Sequence, residues 1–149
     1  MEKELKIRLR LICIQDEKIL LMYDSEKDFY FYIGGKLEFG ETVLEGAARE
    51  ILEECGNDAS FVFNKILYIR DFIYPEDNEH SVELFILGDV QTTSNLEGLK
   101  DPEFDGKKWL TWKNIYDLPE NLLPQKLTSK LVADYKSNFP NQGEYIGKI

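Results

Sequence analysis

Gly35-Lys36-Leu37-Glu38-Phe39-Gly40-Glu41 runs directly into Thr42-Val43-Leu44-Glu45-Gly46-Ala47-Ala48-Arg49-Glu50-Ile51-Leu52-Glu53-Glu54-Cys55-Gly56. The first part reads as a glycine-rich turn and the second as a helix with start and stop signals. Thr42 can cap the N-terminus, and Glu45 three residues on completes a capping box. Gly56 stands where a left-handed C-terminal cap is usually needed. At about 100° per residue, Val43, Leu44, Ala47, Ala48, Ile51, Leu52 and Cys55 cover one half of the helix. Glu50, Glu53 and Glu54 project from the other half, where like charges at this spacing repel. A hard divalent cation between them relieves that repulsion, because Mg²⁺ prefers carboxylate oxygens and water. Gly46 removes a side chain one turn before Glu50, at a helix-propensity cost of about 1 kcal/mol. Its place there suggests that another group approaches the helix backbone.

A solvated acidic face explains glutamates on a helix taken alone. The whole pattern overturns that explanation: Gly, five residues, Glu, seven residues, then Arg-Glu-Ile-x-Glu-Glu-x-Gly. With each fixed residue at roughly 5–7% usage, a match at a given start is on the order of one in a billion. The segment Gly35 to Asn57 resembles the signature of the Nudix hydrolases, the Nudix box. Two departures stand out. Asn57 closes the box where an apolar residue is usual, and Ile33 precedes Gly34-Gly35 where a proline is frequent. Both bear on turn geometry and neither carries a catalytic group.

The resemblance implies an α/β (α+β) fold, a Nudix-like α/β/α sandwich with a central mixed β-sheet between helices. It implies that Glu50, Glu53 and Glu54 bind Mg²⁺ or Mn²⁺, and that Glu41 and Arg49 support the loop-helix geometry through an ion pair, together with Gly35 and Gly56. The general base of the family varies between a box glutamate and a carboxylate in a later loop. Some members carry such a glutamate shortly before a tryptophan-bearing strand, which makes Glu103 the candidate in the loop, with Glu97 and Asp101 as alternatives. Glu50, Glu53 and Glu103 are therefore the expected catalytic carboxylates. The implied reaction is metal-dependent hydrolysis of a pyrophosphate bond in a nucleoside diphosphate linked to a moiety X. Modified nucleoside triphosphates, dinucleoside polyphosphates, nucleotide sugars and ADP-ribose all qualify. The alternative from another class is a non-catalytic Nudix-like module that binds a nucleotide and regulates a partner. Such modules usually lose box carboxylates, and all three remain here.

Composition bounds the reading from outside the motif. A chain of 149 residues, 43% apolar and 31% charged, suits one domain over residues 1–149 with a full core. A net charge of −10 argues against a nucleic-acid polymer as partner, because binding one requires a basic stripe. A small nucleotide remains compatible, since a bound metal inverts the local field. Cys13 and Cys55 both fall at apolar positions and read as buried thiols rather than a disulfide. Met1-Glu2-Lys3-Glu4 lacks the apolar run of a signal peptide, and no stretch reaches membrane-spanning length. A cytoplasmic protein with no membrane partner is expected, and a homodimer is compatible.

Outside the box, Lys3 to Ile14 alternates as a strand, with Leu5, Ile7, Leu9, Leu11 and Cys13 on the side expected to be buried. Lys6, Arg8 and Arg10 lie on the other side, either solvated or in contact with substrate phosphate. A hairpin turn at Gln15–Lys18 leads to a strand at Ile19–Tyr23 that is covered on both sides. After the charged loop Asp24–Asp28, an aromatic strand at Phe29–Ile33 delivers the chain to Gly34. A tyrosine of this strand can serve the core or stack on a base. Phe61–Tyr74 reads as one long or two bent strands, and Val82–Val90 as a central strand interrupted by Glu83. His80 reads first as an exposed loop residue and second as a substrate contact. Gln91–Gly106 is long enough for a functional loop. A strand at Lys107–Trp112 is followed by an expected short helix near Lys113–Asp117, a turn at Leu122-Leu123-Pro124 and a final helix at Gln125–Lys136. The tail beyond Phe139 is expected to be loosely held. Lys36 and Arg70 join Arg8 and Arg10 as candidate phosphate contacts. Tyr74 is a further candidate substrate contact, because it lies about where dinucleoside polyphosphate hydrolases carry a tyrosine.

Overall fold

Alternation in β1 (Leu5–Gln15) divides the molecule into two cores. The computed structural model describes residues 3–149, so Met1 and Glu2, half of the N-terminal stretch considered above, lie outside the described residues. Leu9, Leu11 and Cys13 point to one face of the sheet, where Ala47, Ile51 and Cys55 of α1 (Val43–Cys55) cover them. Ile12 points to the other, where Leu127 and Leu131 pack from α2 (Thr128–Lys136) and the 3-10 turn before it. The two layers and the sheet between them make an α/β/α sandwich. Each fully buried aliphatic side chain contributes about 1.5–3 kcal/mol, so the alternation of β1 anchors both helices.

The remaining strands are β2 (Lys18–Asp24), β3 (Phe29–Lys36), β4 (Ser60–Tyr74), β5 (Glu79–Gln91), β6 (Lys108–Asn114), β7 (Leu122–Leu123) and β8 (Glu144–Gly147). They form one mixed sheet in the order β6-β2-β3-β1-β5-β4-β8, with β7 against β3. β1 and β5 run parallel, as do β4 and β8. β3 changes partners along its length. Phe29 to Tyr32 pair with β2, whereas Ile33 to Lys36 pair with β1. Gly34-Gly35 lie in the part of β3 that pairs with β1. β4 is a single long strand with register shifts at Phe63/Lys65 and Ile66/Tyr68.

Several expectations change. Burial in β1 begins at Leu9, and Leu5 and Ile7 are 64% and 44% exposed because α1 does not extend over them. His80 is exposed but belongs to β5, opposite Ile73. The short helix expected at Lys113–Asp117 is absent. β6 continues to Asn114, whose side chain accepts the Tyr116 N–H at 2.8 Å and closes a turn. The tail is not loose, because β8 adds a parallel strand to β4 and Glu144 accepts Lys130 Nζ at 2.9 Å. The final helix begins as a 3-10 turn at Gln125–Leu127 and continues as α2. Leu96 is buried, and Asp58 accepts the hydroxyls of Thr92, Thr93 and Ser94, so the long polar loop is anchored at its start. Cys13 and Cys55 are buried free thiols. No helix among the described residues is long and apolar enough to cross a membrane.

Candidate active site

α1 starts as its sequence dictates. Thr42 Oγ1 accepts the Glu45 N–H at 3.1 Å, and Glu45 Oε1 accepts the Thr42 N–H at 2.9 Å. At the far end Gly56 takes φ +107°, ψ 163°, a positive-φ conformation outside the compact left-handed helical region expected of the cap, and still donates its N–H to the Leu52 carbonyl. The buried stripe differs from the apolar half of the helical wheel. Leu44, Ala48 and Leu52 are exposed, whereas Gly46 and Glu50 are buried. The cause lies in the two glycines. A Cβ on Gly46 would meet Leu37 Cδ1 at 2.7 Å and Leu9 Cδ1 at 3.0 Å, so the group approaching this helix is the protein's own core. That contact turns the carboxylate side of the helix inward. A Cβ on Gly35 would sit 2.7 Å from Glu50 Oε1, so the end of β3 forms a cradle that only glycine leaves open.

Arg49 ties the loop to the helix. Its guanidinium grips Glu41 through Nη2 at 2.6 Å and Nε at 3.0 Å, and Nη2 also reaches the Lys36 carbonyl at 3.0 Å. Nη1 donates to Glu50 at 3.0 Å and to Glu53 at 3.3 Å. The hydrogen bonds from Arg49 and the Glu38 N–H hold the Glu41 carboxyl below its ordinary pKa. Glu54 accepts the Gly34 N–H at 3.2 Å. Burial pushes Glu50 up despite Arg49, and burial together with the Glu50 charge pushes Glu54 well up. Among the described residues no three carboxylates converge as a ready-made ligand set, because Arg49 holds Glu53 aside. The donor set nevertheless fits a hard dication. Glu50 and Glu54 are two oxygen donors beside the glycine cradle, the Glu50 charge raises the proton affinity of Glu54, and Glu53 on the same helix is half exposed.

These carboxylates line one cavity of about 990 Å³. Arg8, Arg10, Lys36, Arg70 and Tyr74, candidate substrate contacts from the sequence, line it as well, whereas Lys6 does not. Their environments separate them. Lys36 pairs with Glu4 at 2.6 Å on the surface. Arg8 is held by Glu79 through two nitrogens, with Lys6 on the same carboxylate. Each nitrogen of Arg70 is engaged: Nη1 donates to Glu83, and Nε and Nη2 donate to the Ile149 carbonyl at 3.0 and 2.7 Å. Arg10 binds Glu83 through Nε alone at 2.9 Å, leaving both terminal nitrogens without a partner among the described residues. Its charge is felt by Glu50 and Glu54. Arg10 is thus the guanidinium whose fork is open to an anion beside the carboxylates.

Glu103 lines the cavity from the 3-10 turn Pro102–Phe104, and its carboxylate has no partner among the described residues. Asp101 caps that turn by accepting the Glu103 N–H at 3.0 Å. It lines the cavity too, and its charge reaches Glu54. Glu97 is elsewhere, accepting the Trp112 N–H at 2.9 Å beside a different hollow, because the loop turns away after Leu96. Sequence reasoning missed Glu79 and Glu83 as holders of the cavity cations. Glu83 did signal itself, as the one charge inside an apolar strand.

The sequence profile of the NUDIX domain matches residues 6–131. The chain belongs to the NUDIX family of hydrolases, whose reaction is the hydrolysis of a pyrophosphate bond. Solved structures similar in fold include a NUDIX hydrolase from Nitrosomonas europaea, at 17% identity and TM-score 0.69 over 100% of this chain and 81% of that one. A MutT NUDIX hydrolase from Burkholderia pseudomallei is 21% identical, TM-score 0.61, over 88% and 98% of the two chains. An ADP-ribose pyrophosphatase from Streptococcus suis is 20% identical, TM-score 0.62, over 96% and 98%.

Proposed function

We propose that this single-domain protein hydrolyses the pyrophosphate bond of a nucleoside diphosphate linked to a moiety X, with Mg²⁺ or Mn²⁺ held by Glu50, Glu53 and Glu54. The observation that carries the proposal is one cavity with the α1 carboxylates and the glycine cradle on one side and the open fork of Arg10 on the other. A bound metal would supply charge neutralisation of the phosphate oxygens and a lowered pKa for the attacking water. Arg10 binds and orients the diphosphate, and the Glu41–Arg49 pair keeps the loop and helix in register. Glu103, which lines the cavity and whose carboxylate has no partner among the described residues, receives the proton of the attacking water. Fold similarity to proteins called MutT and ADP-ribose pyrophosphatase supports a small nucleotide derivative as substrate.

The test is a panel of nucleoside triphosphates, dinucleoside polyphosphates, nucleotide sugars and ADP-ribose with Mg²⁺, run on wild type and Glu53→Gln. Glu53 is half exposed and loses only a 3.3 Å contact to Arg49, so the variant should keep its thermal midpoint. Its turnover should fall at least about 100-fold. Turnover at the wild-type rate sinks the metal assignment. Tight nucleotide binding without hydrolysis across the panel would favour a regulatory module instead.

A further inference from the structure

Tyr32 is 1% exposed, and its hydroxyl has no hydrogen-bond partner among the described residues. Ser81 Oγ shares that condition but does not line the cavity, whereas Tyr32 does. The ring packs edge-on against Phe85, with centroids 5.5 Å apart and planes at 89°. Gly34, two residues on and therefore on the same face of β3, lies opposite Arg10 on β1. Phe85 is the β5 partner of Arg10. The Tyr32 side chain thus leaves β3 on the face that carries Arg10, one step along the strand that ends at the glycine cradle. Phenylalanine would fill the same space without burying an unpaired polar atom, so packing alone does not account for the oxygen. Burial pushes the phenol above its ordinary pKa, which keeps the proton in place as a donor.

We propose that the Tyr32 hydroxyl is a specificity-determining contact that donates a hydrogen bond to a neutral acceptor atom on the X moiety or its nucleoside. Met22, Phe31, Phe85 and Leu123 line the same cavity and supply the apolar contact around that bond. A ring nitrogen or carbonyl oxygen of a nucleobase qualifies, and so does a hydroxyl oxygen of a sugar. The proposal rests on the pyrophosphohydrolase reading only for the class of molecule. A group that fills the cavity to its inner wall satisfies the hydroxyl, and one lacking the acceptor leaves it unpaired, which is how a buried polar group discriminates.

The test is Tyr32→Phe. The ring stays and the deleted oxygen has no partner among the described residues, so the thermal midpoint should be unchanged or raised. With Mg²⁺, kcat/KM should fall about tenfold, mainly through KM, for substrates that carry the acceptor and stay unchanged for those that lack it. Adenosine, guanosine, cytidine and uridine triphosphates and their 2′-deoxy counterparts separate the two sources. Loss confined to particular bases assigns a base atom, and loss confined to the ribose series assigns a sugar hydroxyl. A second arm does not depend on turnover: metal-free titration with the four nucleosides should show about tenfold weaker binding of at least one by the variant. Equal kinetics on every substrate together with equal nucleoside binding overturns the proposal, as does a uniform fall in kcat alone. Failure of wild type to hydrolyse anything on the panel would overturn the enzymatic reading, while the nucleoside titration still decides the role of Tyr32.

Discussion

Glutamine at position 79 tests whether charge holds the cavity wall. Glu79 accepts Lys6 Nζ at 3.0 Å on one oxygen and Arg8 Nε at 3.0 Å on the other, and its side chain is 13% exposed. Burial raises its pKa, but the hydrogen bonds from Arg8 and Lys6 outweigh burial and bring it from 4.5 down to about 2. A carboxyl depressed in the folded state contributes stability that is complete above its unfolded pKa. That stability is lost as pH falls through the folded value. Each tenfold change in proton affinity is about 1.4 kcal/mol, so the displacement corresponds to roughly 3 kcal/mol at neutral pH. Glutamine has the shape of the protonated carboxyl and cannot make that contribution. Urea unfolding at pH 7 should therefore show Glu79→Gln less stable by about 3 kcal/mol. The gap should narrow below the unfolded value of 4.5 and nearly close by about pH 2. Because the cluster is partly buried, moderate salt should leave most of the gap in place. A gap that is constant down to acid pH, or under about 0.5 kcal/mol at pH 7 as for an exposed pair, would refute the reasoning.

Gly35→Ala should cost turnover rather than stability. Gly35 has no positive φ, so alanine fits the backbone, but its Cβ would sit 2.7 Å from Glu50 Oε1 and push that carboxylate away. Turnover should fall about 10- to 100-fold with the thermal midpoint nearly unchanged, and wild-type kinetics would show that the cradle is irrelevant. The thiols should be inert in the folded protein. Burial pushes Cys55 up to about 12 and Cys13 well above the ordinary thiol range. Mass spectrometry after iodoacetamide at pH 7.5 should find neither modified until denaturant is added, and alkylation of the native protein would contradict their burial.

Much of α1 was legible because its determinants are local. Thr42 and Glu45 are three residues apart, and Glu41 and Arg49 are eight apart on a loop and helix that bring them together. Where reading the wheel went astray, the reason was long-range. Leu44 and Leu52 have the right periodicity for burial, yet Leu9 and Leu37 pack on Gly46 and turn Glu50 inward instead. The strand at Glu144–Gly147 was illegible for a related reason. Four residues carry too little pattern to announce a strand, and β8 exists because β4 offers an edge to pair with.

The family, the carboxylate helix and its N-terminal cap, and the set of cations that could face an anion are all written in the residue order. Those features depend on residue identity at short spacing, which a single chain displays directly. Which of those cations is available depends on the folded arrangement. Glu79 and Glu83 lie 71 to 73 residues from Arg8 and Arg10, and the parallel pairing of β1 with β5 puts them side by side. That pairing occupies Arg8, while Glu83 and the Ile149 carbonyl occupy Arg70, and Arg10 is left with an open fork. It is also tertiary packing that buries the Tyr32 hydroxyl without a partner among the described residues, because hydrogen-bond satisfaction belongs to the surroundings of an atom and not to its place in the chain.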